Sequence, residues 1–371
     1  PFSSRRRHTR LHEKSRGLGD VYKRQAVSEP CAAALPQITV ADTRLALGRL
    51  AADWRRRFDI PVIGITGSNG KTTVRAMTAA ILARCGRALA TEGNLNNDIG
   101  LPLTLARLGA EHRFAILEMG ANHPGEIDYL ANIAQPTIAV VNNAGPAHLE
   151  GFGDIAGVAR AKGELFASLD ADSVAIINAD DDYAPLWREL AAHCRRVEFG
   201  LEADAEVSAT WSGDANGTDV TLHTLQGEVQ FRLPLPGRHN VMNALAASAA
   251  ALAAGAGLDD VASGLAGLVP VAGRFNIHHL PGDITLIDDT YNANPGSLQV
   301  ALDVLAMAGG DTWLVLGDMG ELGDTSVELH ADAGRSARAA GVDRLFAIGD
   351  LARAAADSFG EQGEFHATQD E

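Results

Sequence analysis

The chain has 371 residues, 46% hydrophobic and 21% charged, with 31 Lys and Arg against 47 Asp and Glu for a formal net charge of −16. That length is enough for two or three domains with buried cores, and the composition excludes a disordered chain. The acidic balance excludes a general nucleic-acid binder, no run of about 18 apolar residues spans a membrane, and three scattered cysteines (Cys31, Cys85, Cys194) supply neither a disulfide framework nor zinc spacing, which points to a reducing cytoplasm.

Residues 1–25 hold eight basic residues (Arg5, Arg6, Arg7, Arg10, Lys14, Arg16, Lys23, Arg24) against Glu13 and Asp20, with no apolar face. The tract resembles translated sequencing-adapter sequence and is expected to be non-native and disordered; a transit peptide or a nucleic-acid arm are the other readings of such a start. From residue 60 the pattern is strand, loop and helix, repeated. The run 60–65 ends in a glycine-rich turn, and a helix is predicted over 72–84. The runs 114–117, 137–141 and 174–177 are each too short for a helix and stand a helix-length apart, which predicts a parallel sheet buried on both faces. Alternation over 218–233 around Gln226-Gly227 predicts an antiparallel hairpin, and the Ala-rich segment 240–254 a helix. A second α/β series begins near residue 284, with strands predicted at 284–287, 313–316 and 345–348 and helices at 297–308 and 326–340. The break between two domains is expected at 276–283, where Pro281-Gly282 interrupts the pattern. The sequence stops soon after a predicted strand, so it reads as a fragment cut at both ends.

Between the first strand and its helix lies Thr66-Gly67-Ser68-Asn69-Gly70-Lys71-Thr72-Thr73. Glycines there let backbone N–H groups converge on phosphate oxygens, Lys71 brings a mobile positive charge, and the Thr72 hydroxyl suits Mg2+. The generic phosphate loop has glycine where Ile65 stands, so this is a variant with glycines at 64, 67 and 70. A ligand-free βα turn is the alternative reading. Glu118 ends a predicted strand, at the edge where parallel sheets bind ligands. There it either completes a Mg2+ site with Thr72 or serves as a solvated strand-end charge. Taken alone, His148 reads as structural and Lys162 as a surface charge.

The longer wording of the chain says more. In order come Thr66–Thr73, the stretch Glu92-Gly93-Asn94-Leu95-Asn96-Asn97-Asp98-Ile99-Gly100, Glu118-Met119-Gly120-Ala121-Asn122-His123, residues 142–153 with Ala147-His148-Leu149-Glu150-Gly151, and Ala161-Lys162-Gly163-Glu164. Leu235-Pro236-Gly237-Arg238-His239-Asn240-Val241-Met242-Asn243-Ala244, Gly273-Arg274-Phe275, Asp288-Asp289-Thr290-Tyr291-Asn292-Ala293-Asn294-Pro295 and Gly317-Asp318-Met319-Gly320-Glu321-Leu322-Gly323 follow. Together, from about Asp42 to the end, these segments resemble the Mur ligase family of peptidoglycan synthesis.

The resemblance implies an α/β protein: a remnant of an N-terminal UDP-substrate domain at 26–57, a central P-loop ATPase domain with a mostly parallel sheet at 58–275, and an incomplete Rossmann-like C-terminal domain at 276–371. It implies ATP and Mg2+ at two sites, with UDP-N-acetylmuramoyl-tripeptide and D-alanyl-D-alanine as substrates. A carboxylate has no leaving group for an amine to displace at neutral pH. Phosphorylation to an acyl-phosphate supplies one, and attack by the dipeptide amine releases phosphate.

Carried over residue by residue, Gly67, Ser68, Asn69, Gly70, Lys71, Thr72 and Thr73 hold the ATP phosphates. Thr72 and Glu118 bind one Mg2+, and His148 with Lys162 serves a second. Lys162 acts there as a carbamate, because an ammonium cannot ligate a metal. Lys71, Lys162 and His148 form the catalytic set. Asn243, Arg274 and Asp289 match positions around the adenine and ribose; packing of Asn243 in its helix and an interdomain Arg274–Asp289 salt bridge are the structural alternatives. Asn94, Asn96 and Asn97 face the UDP-muramoyl substrate, or form an ordinary Asn-rich loop. Stretches 94–100 and 291–294 favour the ligase that adds the dipeptide over those that add the third residue or extend folate with glutamate. Outside the family, the alternative is a P-loop NTPase that forms no amide bond. A bacterial, cytoplasmic monomer is expected, and the fragment by itself is expected to be inactive.

Overall fold

The computed structural model describes residues 25–30, 32, 36–146 and 149–368. Two short strands, β1 (Gln25–Val27) and β2 (Gln37–Thr39), pair in parallel ahead of helix α1 (Thr43–Arg55). Asp42 caps α1, its carboxylate accepting from the Arg44 and Leu45 N–H groups.

The central sheet is built from β3 (Val62–Thr66), then α2 (Lys71–Leu82), β4 (Ala88–Ala90), α3 (Gly100–Leu105), β5 (Phe114–Glu118), α4 (Glu126–Ala134) and β6 (Ile138–Val141). It continues through α5 (Leu149–Phe152), α6 (Ile155–Ala167), β7 (Val174–Asn178), α7 (Ala184–Leu190) and β8 (Arg195–Phe199). The six strands run parallel in the order β4-β5-β3-β6-β7-β8. Every residue of β3, β5 and β6 is buried, as expected of apolar runs covered on both faces. Ile63, Ile65 and Ile116 pack with Val74, Met77 and Ile81 of α2 on one face. Val62, Leu117 and Val141 pack with Ile127 and Leu130 of α4 and Phe166 of α6 on the other.

An antiparallel meander follows: β9 (Ser208–Asp214), β10 (Gly217–Thr224) and β11 (Gly227–Leu233). The predicted hairpin is β10–β11; β9 is an addition whose polar, exposed residues conceal it in the sequence. The Ala-rich helix α8 (Arg238–Ala253) is buried along most of its length against α2 and the sheet, and α9 (Leu258–Ala266) packs beside it.

One expectation fails in the C-terminal part. The run 284–287 does not begin the second parallel series. β12 (Asn276–Leu280) and β13 (Ile284–Asp288) form an antiparallel hairpin, with Pro281-Gly282-Asp283 as its turn. So short a connection permits only antiparallel pairing, and Ile284 and Leu286 stay exposed. After α10 (Pro295–Ala306) come β14 (Trp313–Gly317), α11 (Ser326–Ala339), β15 (Arg344–Ile348), α12 (Arg353–Phe359) and β16 (Gly363–His366). These three strands are parallel in the order β14-β15-β16, with Leu316, Leu345 and Ala347 packed on Ala333, Ala337 and Phe359. No helix among the described residues is long and apolar enough to cross a membrane.

Candidate active site

The order of the central sheet locates the site. From β3 the chain moves to one side for β4 and β5, then returns to the other for β6, so β3 is the switch point at whose carboxyl end a crevice opens. The loop 66–71 leaves β3 there, and Glu118 closes β5 beside it.

Gly70 caps α2 in the left-handed region, at φ 81°. Its lack of a side chain lets Asn142 and Asn243 reach the loop, since a Cβ at Gly70 would collide with both side-chain amides. Asn142 Nδ2 donates to Asn69 O at 3.0 Å and to Asn243 Oδ1 at 2.9 Å. Ser68 N donates to Asn143 O, Asn69 N to Asn143 Oδ1, and the Ser68 hydroxyl to Gly145 O. The loop is therefore braced from behind by the segment that follows β6 and, through Asn142, by α8. Lys71 folds over it, with Nζ donating to Gly67 O at 2.7 Å and Ser68 O at 3.1 Å. Burial lowers the Lys71 pKa, with Glu118 opposing and Arg274 adding to the shift. Thr73 is half-buried in the first turn of α2.

Glu118, only 3% exposed, is not a solvated strand end. Its Oε2 accepts from the Thr72 hydroxyl at 3.1 Å, its Oε1 from Asn96 Nδ2 at 2.9 Å, and its backbone N donates to Thr91 Oγ1. Adjacent ligands of an octahedral Mg2+ with bonds of 2.0–2.1 Å stand about 2.9 Å apart. The Thr72 and Glu118 oxygens are both hard donors at nearly that spacing, so the pair fits the ion. Among the described residues no three His, Cys, Asp or Glu converge as a self-contained metal cage. A Mg2+ here would take its remaining oxygens from phosphate and water.

Lys162 lies on α6 and is 1% exposed, which sets aside the surface-charge reading. Its ammonium stands 5.4 Å from the Phe152 ring centroid. Burial, then repulsion from Lys71, lowers its pKa to about 7 against the pull of Glu126 and Glu164. His148 lies outside the described residues.

A cleft of about 860 Å³ gathers much of the remaining set: Lys71, Asn94, Asn96, Asn97, Glu118 and Arg274 line it, together with Tyr291. The Arg274 guanidinium stacks over the Tyr291 ring at 4.2 Å. Asp289 is half-buried; burial pushes its carboxyl up to about 6 against the attraction of Arg274 and a hydrogen bond to the Phe275 backbone. Asn243 is buried in the network behind the loop, where its packing role is evident. Asn97 combines two roles: it borders the cleft, and its Oδ1 accepts from Ile99 N and Gly100 N at the start of α3.

Two participants escaped the sequence reading. Arg75 is 9% exposed and brings Nε to 3.4 Å from Glu118 Oε2; its place four residues after Lys71, on the same helical face, was the available signal. Asn294 caps α10 and also donates to Asn69 Oδ1 at 2.8 Å, tying the C-terminal segment to the phosphate loop.

Comparison with known proteins identifies the family. Residues 65–251 match the Mur ligase middle domain, and residues 273–371 the glutamate ligase domain of Mur ligases. The chain is 47% identical over 336 residues to the UDP-N-acetylmuramoyl-tripeptide–D-alanyl-D-alanine ligase of Escherichia coli K12, covering 90% of this chain and 74% of that one. It is 44% identical to the ligase of the same name from Haemophilus influenzae, covering 85% and 70%. Among solved structures, MurF from Acinetobacter baumannii superposes with a TM-score of 0.88 at 42% identity, over 92% of this chain and 75% of that one. MurF ligase from Thermotoga maritima in complex with ADP gives a TM-score of 0.82 at 26% identity, over 96% and 86%. The chain belongs to the Mur ligase family.

Proposed function

We propose that this chain is an ATP-dependent, ADP-forming amide ligase that joins D-alanyl-D-alanine to UDP-N-acetylmuramoyl-tripeptide in bacterial cell-wall synthesis, acting in the cytoplasm as a monomer. The observation that carries the reading is Glu118. It is bonded to Thr72 of the phosphate-loop helix on one side and to Asn96 of the Asn-rich loop on the other, so nucleotide and acyl substrate meet at one carboxylate.

In this reading the chain divides at 58–275 and 276–371, with 26–57 preceding them. Lys71 exchanges its bonds to the Gly67 and Ser68 carbonyls for the β- and γ-phosphates, while N–H groups of 67–73 hold the phosphate chain at the start of α2. Thr72 and Glu118 hold a Mg2+ that, when bound, neutralises phosphate charge. Lys162, with a pKa near 7, is partly an amine at neutral pH. Addition of its nitrogen lone pair to CO2, with loss of a proton, makes a carbamate, and its oxygens together with His148 would hold a second Mg2+, which would supply further charge neutralisation. Arg274, Asp289 and Asn243 flank the nucleoside, and Asn94, Asn96 and Asn97 receive the UDP-muramoyl substrate. The tripeptide carboxylate takes the γ-phosphoryl group, and the dipeptide amine displaces phosphate. Positioning to about 3–3.5 Å and charge neutralisation supply most of the acceleration.

The test is phosphate release by the chain alone and by the chain joined at both ends to the flanking segments of the Escherichia coli relative. Release that requires tripeptide substrate and D-alanyl-D-alanine together is expected. ATP turnover indifferent to both would identify an NTPase without ligase activity.

A further inference from the structure

The direction of one side-chain amide on the phosphate loop is set from the C-terminal half of the chain. Asn69 has both backbone groups engaged behind the loop: its N–H donates to Asn143 Oδ1 at 2.9 Å, and its carbonyl accepts from Asn142 Nδ2 at 3.0 Å and Asn143 Nδ2 at 3.1 Å. Its side chain leaves on the side of α10. There Asn294 is buried and caps the helix, its Oδ1 accepting from Ser297 N at 2.9 Å while its own N–H donates to Ser297 Oγ at 3.0 Å. A backbone N–H can only donate, so Asn294 Oδ1 is committed to Ser297 and Nδ2 must face Asn69. Asn69 meets it with Oδ1, at 2.8 Å. The Asn69 Nδ2 is thereby turned away from Asn294, and it has no hydrogen-bond partner among the described residues. A Cβ at Gly296 would lie 3.4 Å from that nitrogen, so glycine there leaves the amide room.

On the ligase reading above, we infer that Asn69 Nδ2 donates to the phosphate chain of the nucleotide, and that Asn294 is the positioning residue that aims it. Polarity is relayed in three steps. The Ser297 N–H in the first turn of α10 orients Asn294, Asn294 orients Asn69, and Asn69 presents N–H rather than oxygen to an anion. The reversed amide would set Oδ1 against phosphate oxygens, replacing attraction with repulsion. A hydrogen bond to an ionised acceptor is stronger than one between neutral groups, and fixing the donor beforehand removes the cost of orienting it on binding. The segment that ends in Asn294 runs from the cleft, which Tyr291 and Asn292 line, so the relay joins the phosphate loop to the half of the chain that closes that cleft.

The experiment measures the affinity of AMPPNP, a non-hydrolysable ATP analogue, by calorimetry and that of adenosine by competition, in the two forms of the chain described above. Asn69→Ala removes the donor and is expected to weaken AMPPNP by about 10- to 100-fold, the effect of one hydrogen bond to a charged group. Asn294→Asp keeps a capping oxygen for Ser297 but offers Asn69 an acceptor in place of a donor, so the Asn69 amide turns over. A loss of AMPPNP affinity of the same size is expected, with adenosine affinity unchanged. In Asn69→Ala no amide remains to turn, and adding Asn294→Asp there should cost at least about fivefold less, because only the charge of the carboxylate acts. Urea denaturation verifies that each variant is folded. Unchanged AMPPNP affinity in Asn69→Ala, or in folded Asn294→Asp, would overturn the inference, as would equal losses from Asn294→Asp in the two backgrounds. Parallel losses of AMPPNP and adenosine would overturn it in favour of a simple tether, because Arg274 and Asp289, which flank the nucleoside in that reading, belong to the same segment as Asn294. A wild type that binds neither ligand would overturn the ligase reading itself, and this inference with it.

Discussion

Thr72 Oγ1 donates to Glu118 Oε2 across 3.1 Å, joining the first turn of α2 to the end of β5 although 46 residues separate them. In the proposed function the pair holds one Mg2+ between them. Glu118→Gln keeps the side-chain volume and removes the charge. With ADP present it should weaken Mg2+ binding by at least about tenfold in a calorimetric titration. Unchanged Mg2+ affinity would remove Glu118 from the metal site.

Gly70 is the second sensitive point. At φ 81° an L side chain is strained, and its Cβ would strike Asn142 and Asn243. Gly70→Ala is expected to cost about 1–3 kcal/mol in urea denaturation and to weaken ATP binding, because the loop must shift from the network behind it. A variant as stable as the wild type would show that the loop does not depend on that close approach.

Lys162 carries the carbamate proposal. Its neutral fraction rises through pH 7, so turnover limited by carbamate should increase from pH 6 to 8 and with added bicarbonate. Lys162→Ala should lose turnover and recover part of it with a short added carboxylate. Full turnover in Lys162→Arg would contradict the role, since a guanidinium forms no carbamate.

His239 sets a pH dependence of stability. Its ring packs on Phe275 at 4.7 Å between centroids, Nε2 is buried without a hydrogen-bond partner among the described residues, and burial lowers the pKa from 6.5 to about 4. Between those values the unfolded chain binds a proton that the folded chain excludes. Stability therefore falls as pH drops from 6.5 toward 4, by no more than about 1.4 kcal/mol per pH unit from this group. His239→Gln should flatten that part of the slope in urea denaturation at pH 6.5 and 4.5; identical slopes in both proteins would contradict it.

How much of this was legible beforehand depended on burial. The strands β3, β5, β6 and β7 were readable because a strand covered on both faces has no polar alternation to confuse it. The glycine-containing turn between β3 and α2 was readable because its signal is local. β9 was not, since its residues are largely polar and solvated, and 284–287 misled because an apolar run reads the same in an exposed hairpin as in a buried strand. Lys162 and Arg75 look like ordinary helix-surface charges; only tertiary packing shows them enclosed. The contact from Asn294 to Asn69 spans 225 residues, and no local pattern encodes such a pair.

The central claim is that this chain activates a carboxylate through phosphoryl transfer before an amine attacks. Its most direct test is isotopic. UDP-N-acetylmuramoyl-tripeptide carrying 18O in its terminal carboxylate is turned over with ATP, Mg2+ and D-alanyl-D-alanine, and the released phosphate is analysed by mass spectrometry. Transfer of an 18O atom from the carboxylate to phosphate is the predicted result, because the acyl-phosphate breaks at the carbon–oxygen bond. Amide formation with unlabelled phosphate, or phosphate release with no amide formed, would contradict it.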